Sequence, residues 1–356
     1  MEPKFNPGLE TPLSVPIEIH FKIIYVDGIR SVFDPSCHPM GKSSLKEMRH
    51  GLGDFFLNIL LTLILPVFRR LPPKGLAFLA MMMGTIVFRL VKKYRGRVID
   101  NLSVAFGSEK DAKEIKCLAQ EVFFHFSLTP LETIYLIANS HPFERFLLNI
   151  KMKGKENIEQ ALAKKRGVIA LGAHLGAFTL LGTRLAVEGY PVNVMINQGS
   201  FPKLWKRLNG YQENMGQKIF PPKPITTSIK KSLNCLRRNE ILYLVADEQQ
   251  RRGGIPVPFF GQEAFTPSGP ALFSLKTGAP ILPMAVLREN RIQWTLVIGQ
   301  PVEIERTADE KKDIEALTAK FTESIEDLIR QYPGQWSWLN RRWKLPGSKG
   351  SLDMAE

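Results

Sequence analysis

From about residue 150 onward the chain alternates short apolar runs with amphipathic segments, a pattern that few folds accept. Strand candidates fall at 168–171, 192–196, 241–245, 281–287 and 293–298. Helix candidates lie between them at 157–164, 178–187, 201–215, 227–237 and 267–276, and a last amphipathic helix covers 308–329. Parallel strands need a crossover, usually a helix, so strands alternating with helices predict an α/β fold. Its mixed, mostly parallel sheet is flanked by helices.

Upstream the texture differs. Residues 43–149 read as helical, with apolar residues at three- and four-residue intervals over 111–136 and Pro130 expected to kink or split that helix. Two apolar runs, 55–68 (FFLNILLTLILPVF) and 75–88 (GLAFLAMMMGTIVF), are each shorter than the roughly 20 residues a spanning helix needs. Arg69, Arg70, Lys92, Lys93, Arg95 and Arg97 flank them, the pattern of a monotopic anchor on an anionic leaflet. Buried core helices or a single span are the other readings of the same runs. No basic segment followed by an apolar core opens the chain, so no signal peptide is expected. Residues 1–42, rich in Pro and Gly with one plausible strand at 18–26, form an extension of uncertain order. The α/β part is expected over 150–346, followed by a tail at 347–356.

Charge narrows the partners. The 356 residues carry a formal net charge of +14, which favours phospholipid head groups, an acidic carrier protein or nucleic acid. The three cysteines, Cys37, Cys117 and Cys235, have neither disulfide-framework nor zinc-ligand spacing, and no metal site is expected. Phosphate-binding GxxxxGK[ST], dinucleotide, HExxH and GxSxG patterns are all missing, which removes the best support for nucleotide hydrolysis, hydride transfer, zinc proteolysis and serine hydrolysis.

In open α/β sheets, ligands gather beyond the carboxyl ends of the strands. Three such ends carry polar residues: Gly172-Ala173-His174, Asn197-Gln198, and Asp247-Glu248-Gln249-Gln250. His174 is the side chain best suited to take a proton near neutral pH, and Gly172 and Gly176 allow tight turning beside Leu175 and Ala177. Asp247, Glu248 or Glu132 could orient the ring. Thr266, with Pro267 behind it and Gly269 following, reads as a helix cap whose free N–H groups suit an anion. Arg251, Arg252, Arg341 and Arg342 form basic clusters suited to phosphate or carrier contacts.

The stretches GAHLGAFTLLG, ADEQQRRGGIPVPFFGQEAFTPSGPALFSLKTGAPILP and PGQWSWLNRRWK resemble, in order and spacing, the bacterial lipid A biosynthesis acyltransferases. Those enzymes form part of the wider lysophospholipid acyltransferase superfamily. Asn101-Leu102 and Glu132 resemble the N-terminal half of that family. The resemblance implies a membrane-associated enzyme on the cytoplasmic face of the inner membrane. Such an enzyme moves a fatty acyl group from acyl carrier protein or acyl-coenzyme A to a hydroxyl or amine of a lipid. It implies His174 as general base, Asp247 as the strand-end acid, Phe259, Phe260, Gly261 and Gly269 as pocket residues, no bound cofactor, and no nucleic-acid partner. The family pattern places Glu or Asp five residues after the histidine, where this chain has Thr179; an arginine often found before the middle glycine also has no clear counterpart, with Lys218 and Lys223 the nearest cations. Two expectations follow. Either the enzyme works with its carboxylate supplied by Asp247, Glu248 or Glu132, or it is a catalytically impaired relative that serves as a lipid-binding or scaffolding membrane protein.

Overall fold

A computed structural model describes residues 60, 62–139, 146–197, 202–250, 253–290 and 293–343. The extension at 1–42, positions 55–59 and 61 of the first apolar run, Gln198, Arg251, Arg252 and the tail at 347–356 lie outside the described residues.

After a helical segment through 62–70 come α1 (Pro73–Leu90), α2 (Lys92–Phe106) and α3 (Ala112–Ala138). The α/β part then runs β1 (Lys151–Lys153), α4 (Lys155–Ala163), β2 (Val168–Gly172), α5 (Phe178–Val187), β3 (Val192–Met195), α6 (Pro202–Asn214), β4 (Gln217–Phe220), α7 (Ile225–Arg237) and β5 (Ile241–Val245). A hairpin of β6 (Ile255–Phe259) and β7 (Gln262–Thr266) leads to α8 (Gly269–Thr277), β8 (Ile281–Arg288), β9 (Trp294–Ile298), α9 (Glu310–Gln331) and a 3-10 turn at Pro333–Gln335. The seven-stranded sheet has the order β1-β9-β8-β2-β5-β3-β4. Every pairing is parallel except β8 with β9, so the fold is α/β with a mixed, mostly parallel sheet, as the alternation predicts.

Successive strand residues face opposite sides, and the two cores show it. Ile169, Leu171, Leu242, Leu244 and Leu287 pack into one core with α2, the first half of α3, and α9. Val168, Ala170, Ile241, Tyr243 and Val286 pack into the other with α4 and α5. All five residues of β2 and all eight of β8 are buried, which is why β2 and β8 up to Leu287 read as apolar runs.

Helix α3 begins with a reciprocal cap: Asp111 accepts from the N–H groups of Lys113 and Glu114, while Glu114 accepts from the Asp111 N–H. Pro130 sits inside this 27-residue helix and does not split it. Hydroxyls on either side bind main-chain carbonyls one turn back, Thr129 to His125 at 3.1 Å and Thr133 to Thr129 at 3.0 Å. The expected helix start at Thr266 also shifts. Thr266 ends β7, Ser268 occupies the N-cap of α8, and Pro270 takes the early position that Pro267 was expected to hold.

No single described helix is long and apolar enough to cross a membrane; α1 and α2 pass that test only as a pair bent by 95°. Along α1, Leu76, Ala80 and Phe88 are buried. Gly84 lies on the same row, and a Cβ there would come within 2.8 Å of the Phe123 carbonyl of α3. The opposite face leaves Phe78, Met82, Ile86 and Leu90 exposed, Leu90 to 75%. That is an apolar stripe without a partner among the described residues.

Candidate active site

The turn from β2 to α5 carries His174, and the end of β5 carries Asp247. Because β2 and β5 pair in parallel from Val168↔Ile241 to Gly172↔Val245, both residues leave the same sheet edge two positions past the last pair. Their side chains meet: His174 Nδ1 lies 2.9 Å from Asp247 Oδ1, and the His174 main-chain N–H donates to Oδ2 at 2.8 Å. The Trp336 indole N–H donates to the same Oδ2 at 2.7 Å. Asp247 is therefore a buried carboxylate, 1% exposed at its side chain, with donors on both oxygens, whereas His174 keeps 27% exposure.

Electrostatics follow from that geometry. Burial alone would lower the imidazole's proton affinity, but the Asp247 charge and hydrogen bond, with a smaller contribution from Glu248, raise its pKa to about 9. Burial pushes the Asp247 carboxyl upward, and His174, Trp336 and the main-chain N–H overcome it, so its pKa is lowered. Nε2 is the ring nitrogen left for a substrate, with Glu248 Oε1 3.8 Å away and held by the Asn340 amide.

The turn is fixed from two sides. The Gly176 N–H donates to Gln335 and the Ala177 N–H to Val286, while Ser337 donates to the His174 carbonyl. Gly176 has φ +61, and a Cβ there would collide with the Val286 carbonyl, so only glycine fits. Leu175 and Ala177 are buried beneath it. Gly172 leaves room for the Tyr243 ring, which a Cβ would approach within 2.6 Å.

Two cavities open on His174. One, of about 470 Å³, is walled largely by apolar groups of α3 and α6, including Ile134, Ile137 and Leu208, with Phe178 and Trp336. The other, of about 540 Å³, runs over the ends of β3 and β5 and includes Asn197, Glu248, Gly269, Tyr211 and Gln212. The Tyr211 hydroxyl and the Gln212 amide oxygen are buried there without a hydrogen-bond partner among the described residues. Buried polar groups are nearly always satisfied, so these two mark a place for a polar ligand or water. Thr179 borders both cavities and its hydroxyl lies 3.3 Å from that of Thr133.

Other expected site residues fall elsewhere. Glu132 binds the buried Arg288 guanidinium at 2.5 and 3.0 Å and the Trp294 indole at 3.1 Å, so it does not orient His174. Phe259 and Phe260 are buried in an aromatic cluster with Trp336, Trp338 and Trp343, and neither borders the two cavities. Phe260, at φ +50, and Gly261 form the tight turn between β6 and β7. Arg342 is 1% exposed, covers the Phe259 ring, and donates to Phe265 O and Thr266 Oγ1; it is closed to a carrier protein. Arg341 stays half-buried, and Gln249 follows Glu248 on the loop. Asn101 ties α2 to the C-terminal segment through the carbonyls of Trp338 and Asn340. Sequence reasoning did not single out Trp336, Tyr211 or Gln212. For Trp336 the signal was its place in QWSW; for the other two, helical spacing shows a face and not a cavity. Among the described residues no group of acidic, histidine or cysteine side chains could hold a metal ion.

A family model described as bacterial lipid A biosynthesis acyltransferase matches residues 42–345. The lipid A biosynthesis lauroyltransferase of Escherichia coli strain K12 is 23% identical over 268 residues, 74% of this chain and 83% of that protein. The palmitoleoyltransferase of the same strain is 23% identical over 286 residues, 80% and 90% respectively. The phosphatidylinositol mannoside acyltransferase of Mycobacterium tuberculosis strain H37Rv is 24% identical over 194 residues, 53% of this chain. That match spans 58% of the relative's length.

Proposed function

The chain belongs to the bacterial lipid A biosynthesis acyltransferase family, and from that premise we propose that it transfers a fatty acyl group from a thioester, acyl carrier protein or acyl-coenzyme A, to a hydroxyl or amine of a lipid acceptor. The observation that carries this reading is the His174–Asp247 contact of 2.9 Å at the mouth of two cavities. Asp247 holds the Nδ1–H tautomer and leaves Nε2 to accept the acceptor's proton. The acceptor oxygen or nitrogen then forms a bond to the thioester carbonyl carbon. The tetrahedral adduct collapses with cleavage of the carbon–sulfur bond, and the departing thiolate takes the proton from the imidazolium.

The cavities divide the substrates by polarity. The apolar one beside α3 suits the acyl chain, and the one where the Tyr211 hydroxyl and Gln212 amide oxygen have no partner among the described residues suits the acceptor's polar head. The carboxylate that the family pattern places at position 179 is supplied here by Asp247, which supports a working enzyme. The apolar stripe of α1 and the basic residues around it support residence on an anionic membrane surface as a monotopic protein, which we place on the cytoplasmic face of the inner membrane. No bound cofactor is needed for the proton transfers described.

The test is acyl transfer by purified protein in vesicles with labelled acyl carrier protein and acyl-coenzyme A. Transfer by the native chain that disappears in His174→Ala supports the reading. A native chain no faster than His174→Ala with both donors overturns it.

A further inference from the structure

A second cavity system lies away from His174, where α1, α2 and α3 cross. It encloses about 690 Å³, and its wall carries three cations, Arg89, Arg95 and Lys116, against one carboxylate, Glu121. Glu121 already faces His125 at 3.7 Å. Among the described residues none of the three cations has a carboxylate within 4.0 Å. Arg95 is held in place by the Phe88 carbonyl at 3.3 Å and by the Phe88 ring, 5.6 Å from its guanidinium carbon. That contact uses one of five N–H donors and leaves the rest for a ligand.

Apolar groups share the lining of this cavity with the polar Thr85 and Gln120. Phe88, Phe124 and Gly84 line it, and the missing side chain of Gly84 is what lets α1 touch the main chain of α3. Met81 forms part of the rim, and from it the exposed stripe of Phe78, Met82 and Ile86 continues along α1. Cations and polar groups beside Phe88 and Phe124, next to an exposed apolar row, match an amphiphile whose anionic head and hydrocarbon tails lie side by side.

We propose that this cavity binds the phosphodiester head of one anionic membrane phospholipid, with the acyl tails laid along the exposed face of α1. The site rests on the membrane-surface reading above and deepens it: the membrane is engaged at a defined pocket in addition to a diffuse basic field. An acidic carrier protein is a poorer occupant, because it would leave the apolar row uncovered. Occupancy would also set the depth and tilt of α1 and so aim the mouth of the apolar substrate cavity, which α3 shares, toward the bilayer.

The test uses the full chain in non-ionic detergent. A short-chain phosphatidylglycerol below its micelle concentration, the matching phosphatidylcholine and inorganic phosphate are titrated by calorimetry. Phosphatidylglycerol is expected to bind saturably, one per chain. The Arg89→Gln/Lys116→Gln pair should weaken it at least tenfold, while Lys164→Gln/Lys312→Gln, with the same change in net charge, leaves it within twofold. Both altered side chains of the first pair are exposed, and matching thermal melts establish that the fold survives; Arg89→Gln alone replaces a pair whose melt departs. Equal binding by native and variant chains overturns the site, as does native binding of phosphate or phosphatidylcholine as tight as that of phosphatidylglycerol. Flotation on phosphatidylcholine vesicles with and without phosphatidylglycerol separates the two levels. Saturable binding without flotation keeps the site and removes the membrane-surface reading; flotation that is unchanged in the variant, with unchanged calorimetry, keeps that reading and removes the site.

Discussion

The indole N–H of Trp336 and the main-chain N–H of His174 meet on a single oxygen of Asp247, at 2.7 and 2.8 Å. The other oxygen is thereby turned to the imidazole. A strand end, a strand-to-helix turn and a C-terminal segment 89 residues further on thus hold one carboxylate rotamer.

With the His174 pKa raised to about 9, the resting imidazole is protonated at neutral pH and only its neutral form can take the acceptor's proton. Measured kcat/KM should therefore rise with pH and level off above about 9. In Asp247→Asn, burial acts almost unopposed, so the limb should move to or below the ordinary 6.5 while the rate falls about 10²- to 10⁴-fold. A limb unmoved by that change would assign it to another group.

The same shift bears on stability. A group whose pKa is raised on folding contributes fully below its unfolded value of 6.5 and loses that contribution as pH climbs through about 9. Between pH 7 and 10 the melting temperature of the native chain should drop more than that of His174→Ala. Equal slopes in scanning calorimetry would contradict the linkage.

Trp336→Phe keeps the ring in the aromatic cluster and removes one donor from Asp247. The carboxylate becomes the stronger base, so the pH limb should shift to the alkaline side and kcat should fall about 5- to 50-fold, the range of a lost charge-assisted hydrogen bond. A purely structural role would lower the melting temperature and leave the limb in place.

Thr179→Glu should bring no gain in rate. Asp247 already occupies Nδ1, and a carboxylate at 179 would enter the wall between the two cavities, beside Phe178 and Trp205. Steady-state rates above native would show instead that the site lacks an acid.

Removing one partner of the buried Glu132–Arg288 pair leaves the other charged and unpaired. Glu132→Gln should destabilise by about 3–5 kcal/mol, read from denaturant unfolding, and Glu132→Gln with Arg288→Met by less.

Much of this architecture was legible in the residues. All five strand candidates form strands and lie in the central sheet, because strands buried on both faces are runs dominated by apolar residues and bounded by turns. His174 and Asp247 stood out because each follows such a run directly. The short strands β1 and β4 were not legible, since Lys151–Lys153 is mostly charged and Gln217–Phe220 carries no alternation. They are strands because an existing edge offers main-chain partners. The split expected at Pro130 does not occur: α3 runs through it, with the hydroxyls of Thr129 and Thr133 bonded to carbonyls one turn back.

The sequence by itself determined the fold class, the strand ends that carry His174 and Asp247, and the apolar and basic character of the N-terminal helices. These depend on periodicity and composition, which are local. Only the tertiary structure decided which of three carboxylates serves the imidazole, since Glu132 is claimed by Arg288 and Asp247 is locked by Trp336. It also decided that Arg342 is interior and that the Tyr211 hydroxyl and the Gln212 amide oxygen are buried without a partner among the described residues. A hydrogen bond is a relation between two groups set to within a few tenths of an ångström, and no spacing along one chain encodes the packing that brings them together.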